Sequence, residues 1–301
     1  MLRRGTVPPA LCALWTLACG PLVAQEMQDV QVTATHVAGH VYLLTGRGGN
    51  IGASIGDDGV FLVDDQYAPL TEHIRAAVAA ISDLPIRFVV NTHWHEDHTG
   101  GNERMGEAGA IIVAHENVRE RLSTEQFVAF SDRHYDPSPA GALPVITFTD
   151  AVTFHWNGDA NHAFHVENAH TDGDAVIHFR EANVLHAGDV YWNGVYPFID
   201  ISSGGSIDGM IAAVDRLLEL VDADTRIIPG HGPLSSVEEL RTYRWMLLAS
   251  RERVAALMAE RKTREEIIAA GPTAEFDEAW GQWFIRPEQW VGFVYDGLAG
   301  R

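Results

Sequence analysis

The six residues His93-Trp94-His95-Glu96-Asp97-His98 bring three imidazoles and the Asp97 carboxylate together in one short stretch of chain. His170, Asp189 and His231 recur downstream in settings that complete two metal sites with them. Imidazole and carboxylate donors suit zinc, and a donor set that leaves room for water is catalytic rather than structural. One histidine among the 15 in the chain would carry no such meaning. Four ligand-type side chains this close are different, because without a cation they crowd charge and polar groups at a cost in desolvation. On an extended strand alternate side chains share a face, so His93, His95 and Asp97 are expected to project together. His98 then adds a donor from the turn that follows.

The elements that carry these groups read as an alternating α/β chain. Strands are predicted at 41–45, 51–55 and 60–63, separated by Gly-rich turns at 46–50 and 56–59. The 46–50 turn reads as a plain hairpin connection, with Arg47 a candidate anion contact if it reaches over the site. A helix is predicted from Pro69 to about Ser82 with Thr71 as its N-cap. The run 86–91 is a buried strand that delivers the histidine cluster at its carboxyl end, where open α/β sheets bind ligands. Residues 110–114 form another strand, followed by helical stretches to about Ser131 and a Pro- and Gly-rich loop at 136–143. Further strands are predicted at 145–148, 152–156, 163–167, 175–179, 184–186 and 225–228, with helices at 206–221 and 236–261. The strand–helix rhythm occurs twice, before and after about residue 140, which predicts two similar halves with the metals between them. The aromatics of the tail (Trp280, Trp283, Phe284, Trp290, Phe293 and Tyr295) are expected to pack the last helix onto the body.

Composition narrows the function classes. The chain has 301 residues, 46% hydrophobic and 21% charged, as globular proteins do, and a formal net charge of -20. That charge argues against nucleic acid or an anionic membrane surface as partner and is otherwise explained by solubility; the partner expected from the metal cluster is a small-molecule substrate. Lys262 is the only lysine, which removes lysine-based nucleophilic or Schiff-base chemistry from consideration.

Residues 1–24 read as a signal peptide: Arg3 and Arg4 form a basic start, an apolar run follows, and Ala24 suits cleavage before Gln25. The expected location is therefore the periplasm or the medium, with no membrane partner after cleavage. Cys12 and Cys19 both lie in the signal, so the mature chain, 25–301, would have neither disulfide nor thiolate ligand. It is read as one domain with a helical tail from about residue 236.

The ordered set His-x-His-x-Asp-His at 93–98, His170, Asp189 in Ala187-Gly188-Asp189, and His231 in Pro229-Gly230-His231-Gly232 resembles the metallo-β-lactamase superfamily, over about residues 30–234. The resemblance implies an α/β fold, an αββα four-layer sandwich with a C-terminal helical extension, and a site at one edge between two β-sheets. It implies two Zn2+ per chain. His93, His95 and His170 would hold the first, Asp97, His98 and His231 the second, and Asp189 would bridge them. Asp97 would be the catalytic residue that orients the hydrolytic water and shuttles its proton. Asp64 matches a family aspartate that supports the ligands, although turn capping explains it equally well. Asp172 and Asp174 are further candidates for fixing histidine tautomers. Two divalent cations about 3.5–4 Å apart lower the pKa of water to about 7 and polarise a carbonyl or phosphoryl oxygen.

Superfamily membership does not set the substrate. With Asp189 in the bridging place and no thiol, the chain departs from the β-lactamases that use a cysteine ligand. The run Val190-Tyr191-Trp192-Asn193-Gly194 also lacks the lysine or hydroxyl residues with which many β-lactamases anchor their drug. An aspartate bridge is similar to glyoxalase II-like thioesterases and lactonases. The loop 191–203, with Trp192, Tyr196 and Phe198, is expected to line an apolar pocket. The expected function is periplasmic dinuclear zinc hydrolysis of an ester, lactone or amide bond, with β-lactam cleavage among the activities to test. The alternative is an iron-dependent oxidoreductase of the same superfamily, similar to persulfide dioxygenases, because ligand type alone does not separate zinc from iron. A non-catalytic metal-binding accessory protein is the third class.

Overall fold

Every residue of the run Gly59–Val63 is buried, which a strand achieves only when both of its faces are covered. In the computed structural model, which describes residues 27–300, this run is a strand of the first of two main sheets. The strands of the first half are β1 (Thr33–Ala38), β2 (Val41–Thr45), β3 (Ile51–Gly56), β4 (Gly59–Val63), β5 (Ile86–Val90), β6 (Ile111–His115), β7 (Gln126–Val128), β8 (Arg133–Tyr135) and β9 (Ile146–Phe148). The first sheet runs β1-β2-β3-β4-β5-β6-β9, with antiparallel hairpins up to β4 and parallel pairing from β4 through β9. β7 and β8 pair only with each other.

The second sheet comprises β10 (Ala151–Trp156), β11 (Asp159–His165), β12 (Ala175–Phe179), β13 (Val184–His186), β14 (Arg226–Ile228) and β15 (Ser235–Ser236), in that order. Only its β13–β14 pair is parallel.

Alternation along the strands sorts the core into layers. Phe61 and Val63 of β4 join Phe179 and Ile177 of β12 in the core between the sheets. Val60 and Leu62, one residue out of phase, face the opposite way and pack under Ile74 and Val78. Those two belong to helix α1 (Thr71–Ala79). Val176 and Leu185 face the other outer layer, with Met210, Val214 and Leu240. The result is helix, sheet, sheet, helix, as the resemblance implied.

The helices that follow are α2 (Glu96–Thr99), α3 (Asn102–Glu107), α4 (Glu116–Ser123), α5 (Ile207–Leu220), α6 (Val237–Ala259), α7 (Arg264–Ala270), α8 (Ala274–Trp280) and α9 (Pro287–Leu298). Ser206 caps α5, and Ser236 with Glu239 forms a capping box on α6, which sets the two starts.

Several expectations need correction. Thr71 is not the N-cap of the helix, a place Leu70 takes: it ends the preceding 3-10 turn, where its N–H and its hydroxyl both donate to Ala68 O. The helical stretch expected up to Ser131 ends at Ser123, and the β7–β8 hairpin follows. The two halves are layered alike but differ in strand order, and β9 joins the first sheet rather than the second. The predicted signal, residues 1–24, lies outside the described residues. Among the described residues no helix is long and apolar enough to cross a membrane.

Candidate metal centre

The parallel pairs β4–β5 and β13–β14 end on the same edge of the sandwich, and the loops leaving those four strands carry most of the donors. Asp64 follows β4, His93 and His95 follow β5, Asp189 follows β13 and His231 follows β14. His170 enters from the loop between β11 and β12. This is the carboxyl-end placement expected of an α/β site. The strand expected to project His93, His95 and Asp97 to one face is absent. Residues 91–95 are not a strand, and Asp97 and His98 lie on the single turn α2, with His95 as its N-cap.

All seven predicted donors converge. His170 Nε2 lies 2.9 Å from His95 Nδ1 and 3.5 Å from Asp189 Oδ2, and His93 Nε2 lies 3.8 Å from that same oxygen. On the other side His98 Nε2 lies 3.2 Å from Asp189 Oδ1, 3.4 Å from His231 Nε2 and 3.6 Å from Asp97 Oδ2. His231 Nε2 lies 3.3 Å from Asp97 Oδ2 and 3.4 Å from Asp189 Oδ2. His93, His95 and His170 form one donor group, and Asp97, His98 and His231 another. Asp189 touches members of both.

The outer ring nitrogens are held so that the inner ones face the centre. His93 Nδ1 donates to Thr92 Oγ1, which donates in turn to Asp64 Oδ2. His98 Nδ1 donates to the same Asp64 oxygen at 2.8 Å, and His170 Nδ1 to Phe198 O at 2.8 Å. His95 Nε2 lies 3.0 Å from Asp200 Oδ2. With those protons on the outside, the inner nitrogens of His93, His95 and His170 are left as acceptors, and His93 Nε2 and Asp189 Oδ1 are buried with no hydrogen-bond partner. Buried polar atoms left this way are costly, and a cation among them satisfies all of them at once. The donors present therefore fit two divalent metal ions.

Electrostatics divides the cluster in the same way. Burial pushes His93 well down and His170 down to about 4, so both are neutral. Burial also opposes charge on His98 and His231, but the Asp189 and Asp97 carboxylates outweigh it and raise both, His231 to about 9. Burial works to raise Asp97, yet His98 and His231 bring it down to about 2, and the imidazoles hold Asp189 well below the usual carboxylate range.

Two glycines make the approach possible. A Cβ on Gly230 would sit 2.0 Å from Asp189 Oδ1, and one on Gly49 would sit 2.1 Å from His98 Cε1. The 46–50 turn is thus no plain hairpin: Gly49 lies against the His98 ring, and its N–H donates to Asp97 O. Asn50 donates through its side chain to Pro229 O and Gly232 O, tying that turn to the one that carries His231.

Of the supporting acids named from sequence, Asp64 holds His98, and Asp174 accepts the His170 and Thr171 amides. Asp172 instead pairs with Arg121. Asp200 and Asn50 also serve the site, and nothing in the local sequence marks them. His186 is not among the donors; its Nε2 lies 3.0 Å from Asn50 O. A cleft of about 680 Å³ opens over Asp97, Asp189 and His231, lined in part by Trp192 and Phe198. Tyr196 is not in it; that residue is buried, stacked on Trp290 and bonded to Asp277. Trp283 and Phe284, expected to pack the tail helix, line the cleft instead.

Comparison with known proteins agrees with this geometry. The family model described as the metallo-beta-lactamase superfamily matches residues 38–231. The chain is 25% identical over 168 residues to the acyl-coenzyme A thioesterase MBLAC2 of Gallus gallus, covering 51% of this chain and 59% of the relative. It is 25% identical over 169 residues to a hydroxyacylglutathione hydrolase of Polaromonas sp., covering 54% and 55%. Among solved structures it resembles the stereoselective inverting sec-alkylsulfatase Pisa1 from Pseudomonas sp., with TM-score 0.68, 19% identity, and coverage of 89% of this chain and 50% of that one. The DIM-1 metallo-beta-lactamase superposes with TM-score 0.59 at 18% identity, covering 73% of this chain and 98% of that one. The matches reach little more than half the length of the two curated relatives, and the structural likenesses speak to fold alone. With the family model spanning most of the chain and its seven donors gathered at one sheet edge, this protein belongs to the metallo-beta-lactamase superfamily.

Proposed function

We propose that the protein is a metal-dependent hydrolase of the periplasm that cleaves an ester, lactone or amide bond, with two zinc ions as its working metals. The observation that carries this reading is the pair of buried, unpartnered atoms, His93 Nε2 and Asp189 Oδ1, inside a cluster where the Nδ1 atoms of His93, His98 and His170 are already held from outside. His93, His95 and His170 would hold one ion, Asp97, His98 and His231 the other, with Asp189 shared. Bound there, the ions supply Lewis acidity toward a carbonyl oxygen and a source of hydroxide at neutral pH. Asp97 is the one donor carboxylate with appreciable exposure to the cleft, and at a pKa of about 2 it is ionised throughout the working range. It accepts a hydrogen bond from the attacking water and so orients it. His93, His98 and His170 are sealed from solvent and hold position, while His95, Asp189 and His231 also reach the cleft.

The names of the two curated relatives, a thioesterase and a hydroxyacylglutathione hydrolase, support hydrolysis of an acyl derivative. β-Lactam cleavage remains within the proposal as an activity to be measured.

The test is a hydrolysis panel (ester, lactone, thioester, β-lactam) on protein stripped with chelator and reloaded with zinc, alongside metal analysis of protein purified without added metal. Turnover that chelation abolishes, zinc restores and His95→Ala eliminates is the expected result. Stoichiometric iron with oxygen consumption would replace this reading with the oxidoreductase, and metal-loaded protein inert across the panel would leave only an accessory role.

A further inference from the structure

The cleft over the donor cluster has two unlike sides. One side is polar, with Tyr67, Glu96, Asp97 and Arg133. The other is a continuous arc of aromatic rings that begins on one donor and ends on another. At its start the Trp192 ring lies 4.3 Å and the Trp283 ring 5.6 Å from that of His231. Phe284 continues it, 6.4 Å from Trp283 and 5.6 Å from Phe130. Phe130 packs on Phe198 at 5.1 Å, and Phe198 stacks against His95 at 5.8 Å. The arc therefore joins the two donor groups around the rim of the cleft.

Its outer members are out of place as core residues. Trp283 is 49% and Phe284 52% exposed, side by side, in the link between α8 and α9. The link is anchored rather than loose: Trp280 packs on Tyr243, Trp290 is fully buried, and Gln282 and Arg286 donate to Asp277 O and Gly281 O. Adjacent exposed aromatics held in fixed positions at the mouth of a cleft mark a surface that something apolar covers. Because the arc is concave and ends on the donors themselves, its occupant must also reach the reacting centre.

We propose that this arc binds the apolar acyl or alkyl arm of the substrate, with the scissile bond over the donor cluster and the polar remainder on the Arg133 side. The substrate class is thus an ester or thioester of a medium or long hydrocarbon chain, and Trp283 and Phe284 are its specificity-determining residues. This rests on the hydrolase reading and narrows it.

The zinc-loaded full-length chain is assayed with the p-nitrophenyl esters of acetate, hexanoate and decanoate. The value of kcat/KM should rise about tenfold or more from acetate to decanoate, mainly through KM, as burial of several methylenes implies. Trp283→Ala and Phe284→Ala should each lower the decanoate-to-acetate ratio about fivefold. Calorimetry with sodium decanoate on chelator-treated protein gives a readout independent of turnover, and Trp283→Ala should weaken that binding similarly; unchanged thermal melting shows the variants are folded. Hydrolysis of all three esters with a flat ratio would overturn the acyl wall and leave the hydrolase standing. Decanoate binding lost in Trp283→Ala, with no ester hydrolysed, would support the wall and remove the hydrolase. If Trp283→Ala changes the sedimenting mass but not the ratio, the patch joins copies of this chain and the inference falls.

Discussion

The Asp200 carboxylate sits 3.0 Å from His95 Nε2 and decides which ring nitrogen of His95 faces the donor cluster. Asp200 is itself held by Ser203 Oγ at 2.6 Å and Ser202 Oγ at 2.5 Å, and Ser203 Oγ accepts Trp94 Nε1–H at 3.2 Å. Burial works to raise this carboxyl, but its bond to His95 and the serine hydroxyls bring it well below the usual range, so it is an acceptor only. The Nε2 proton is thereby fixed, and Nδ1 stays free 2.9 Å from His170 Nε2.

Replacing Asp200 by Asn keeps the shape but presents an amide that can donate to Nε2 and favour the wrong tautomer. Metal affinity should fall about 10–100-fold, the usual cost of losing such a partner. Competition against a chromophoric chelator measures it. An affinity within twofold of wild type would show that Asp200 does not orient His95.

Asp64 occupies left-handed backbone, φ 65, and accepts from Thr92 N, Thr92 Oγ1 and His98 Nδ1 with no exposure to solvent. Aspartate and asparagine tolerate that conformation better than alanine does. Asp64→Ala should therefore cost about 3 kcal/mol, because it strands three buried donors as well as straining the backbone. Asp64→Asn should cost less. Urea unfolding of chelator-treated protein isolates this from any metal effect, and equal losses for the two substitutions would refute the backbone argument.

What the sequence made legible follows from the chemistry involved. Few residue types ligate metals, so the seven donors stood out by type and spacing alone, although the strand geometry first invoked for His93, His95 and Asp97 proved to be a loop and one helical turn. The run Val60-Phe61-Leu62-Val63 was visible as a strand and is buried throughout, whereas the run 86–91, expected to be buried, exposes Arg87 and only half-buries Ile86 and Phe88. Asp200 was not visible, because it acts on a histidine 105 residues away and aspartates are common on any surface. Trp283 and Phe284 were misplaced for a related reason. Their composition matches the buried Trp290 and Phe293, and only the tertiary path of the α8–α9 link separates lining from packing. The β7–β8 hairpin was missed because its strands are three residues each, too short to show a period.

Phe61 is one of the rings through which the sheets meet, beside Phe88. It contacts Phe88 of its own sheet at 6.1 Å and, across the interface, Phe154 at 5.0 Å and Phe179 at 6.2 Å. Phe61→Ala should lose about 3–5 kcal/mol through lost transfer energy and an unfilled cavity. The urea midpoint should drop with little change in the slope of the transition. A loss below about 1 kcal/mol would mean that the sheets close over the gap.

A pH-dependent contribution to stability lies far from the donors, at Asp159. Its two oxygens accept Glu181 N at 3.0 Å and Ala182 N at 3.2 Å, and Oδ2 lies 3.3 Å from His40 Nε2. Burial acts to raise the carboxyl, but the bonds to His40 and to the 181–182 backbone outweigh it and leave it well below the usual range. The folded value is depressed relative to an unfolded value of about 3.9, so the ionised form favours the folded state. That stabilisation is complete above about pH 5 and is lost as pH falls through the unfolded value toward the folded one. Wild type should exceed Asp159→Asn in stability by about 1–3 kcal/mol at neutral pH, the range for hydrogen bonds to a charged group. The gap should narrow toward pH 3, as followed by urea unfolding across the series. A gap that is constant with pH would show that the carboxylate charge at Asp159 contributes nothing to holding the 181–182 turn.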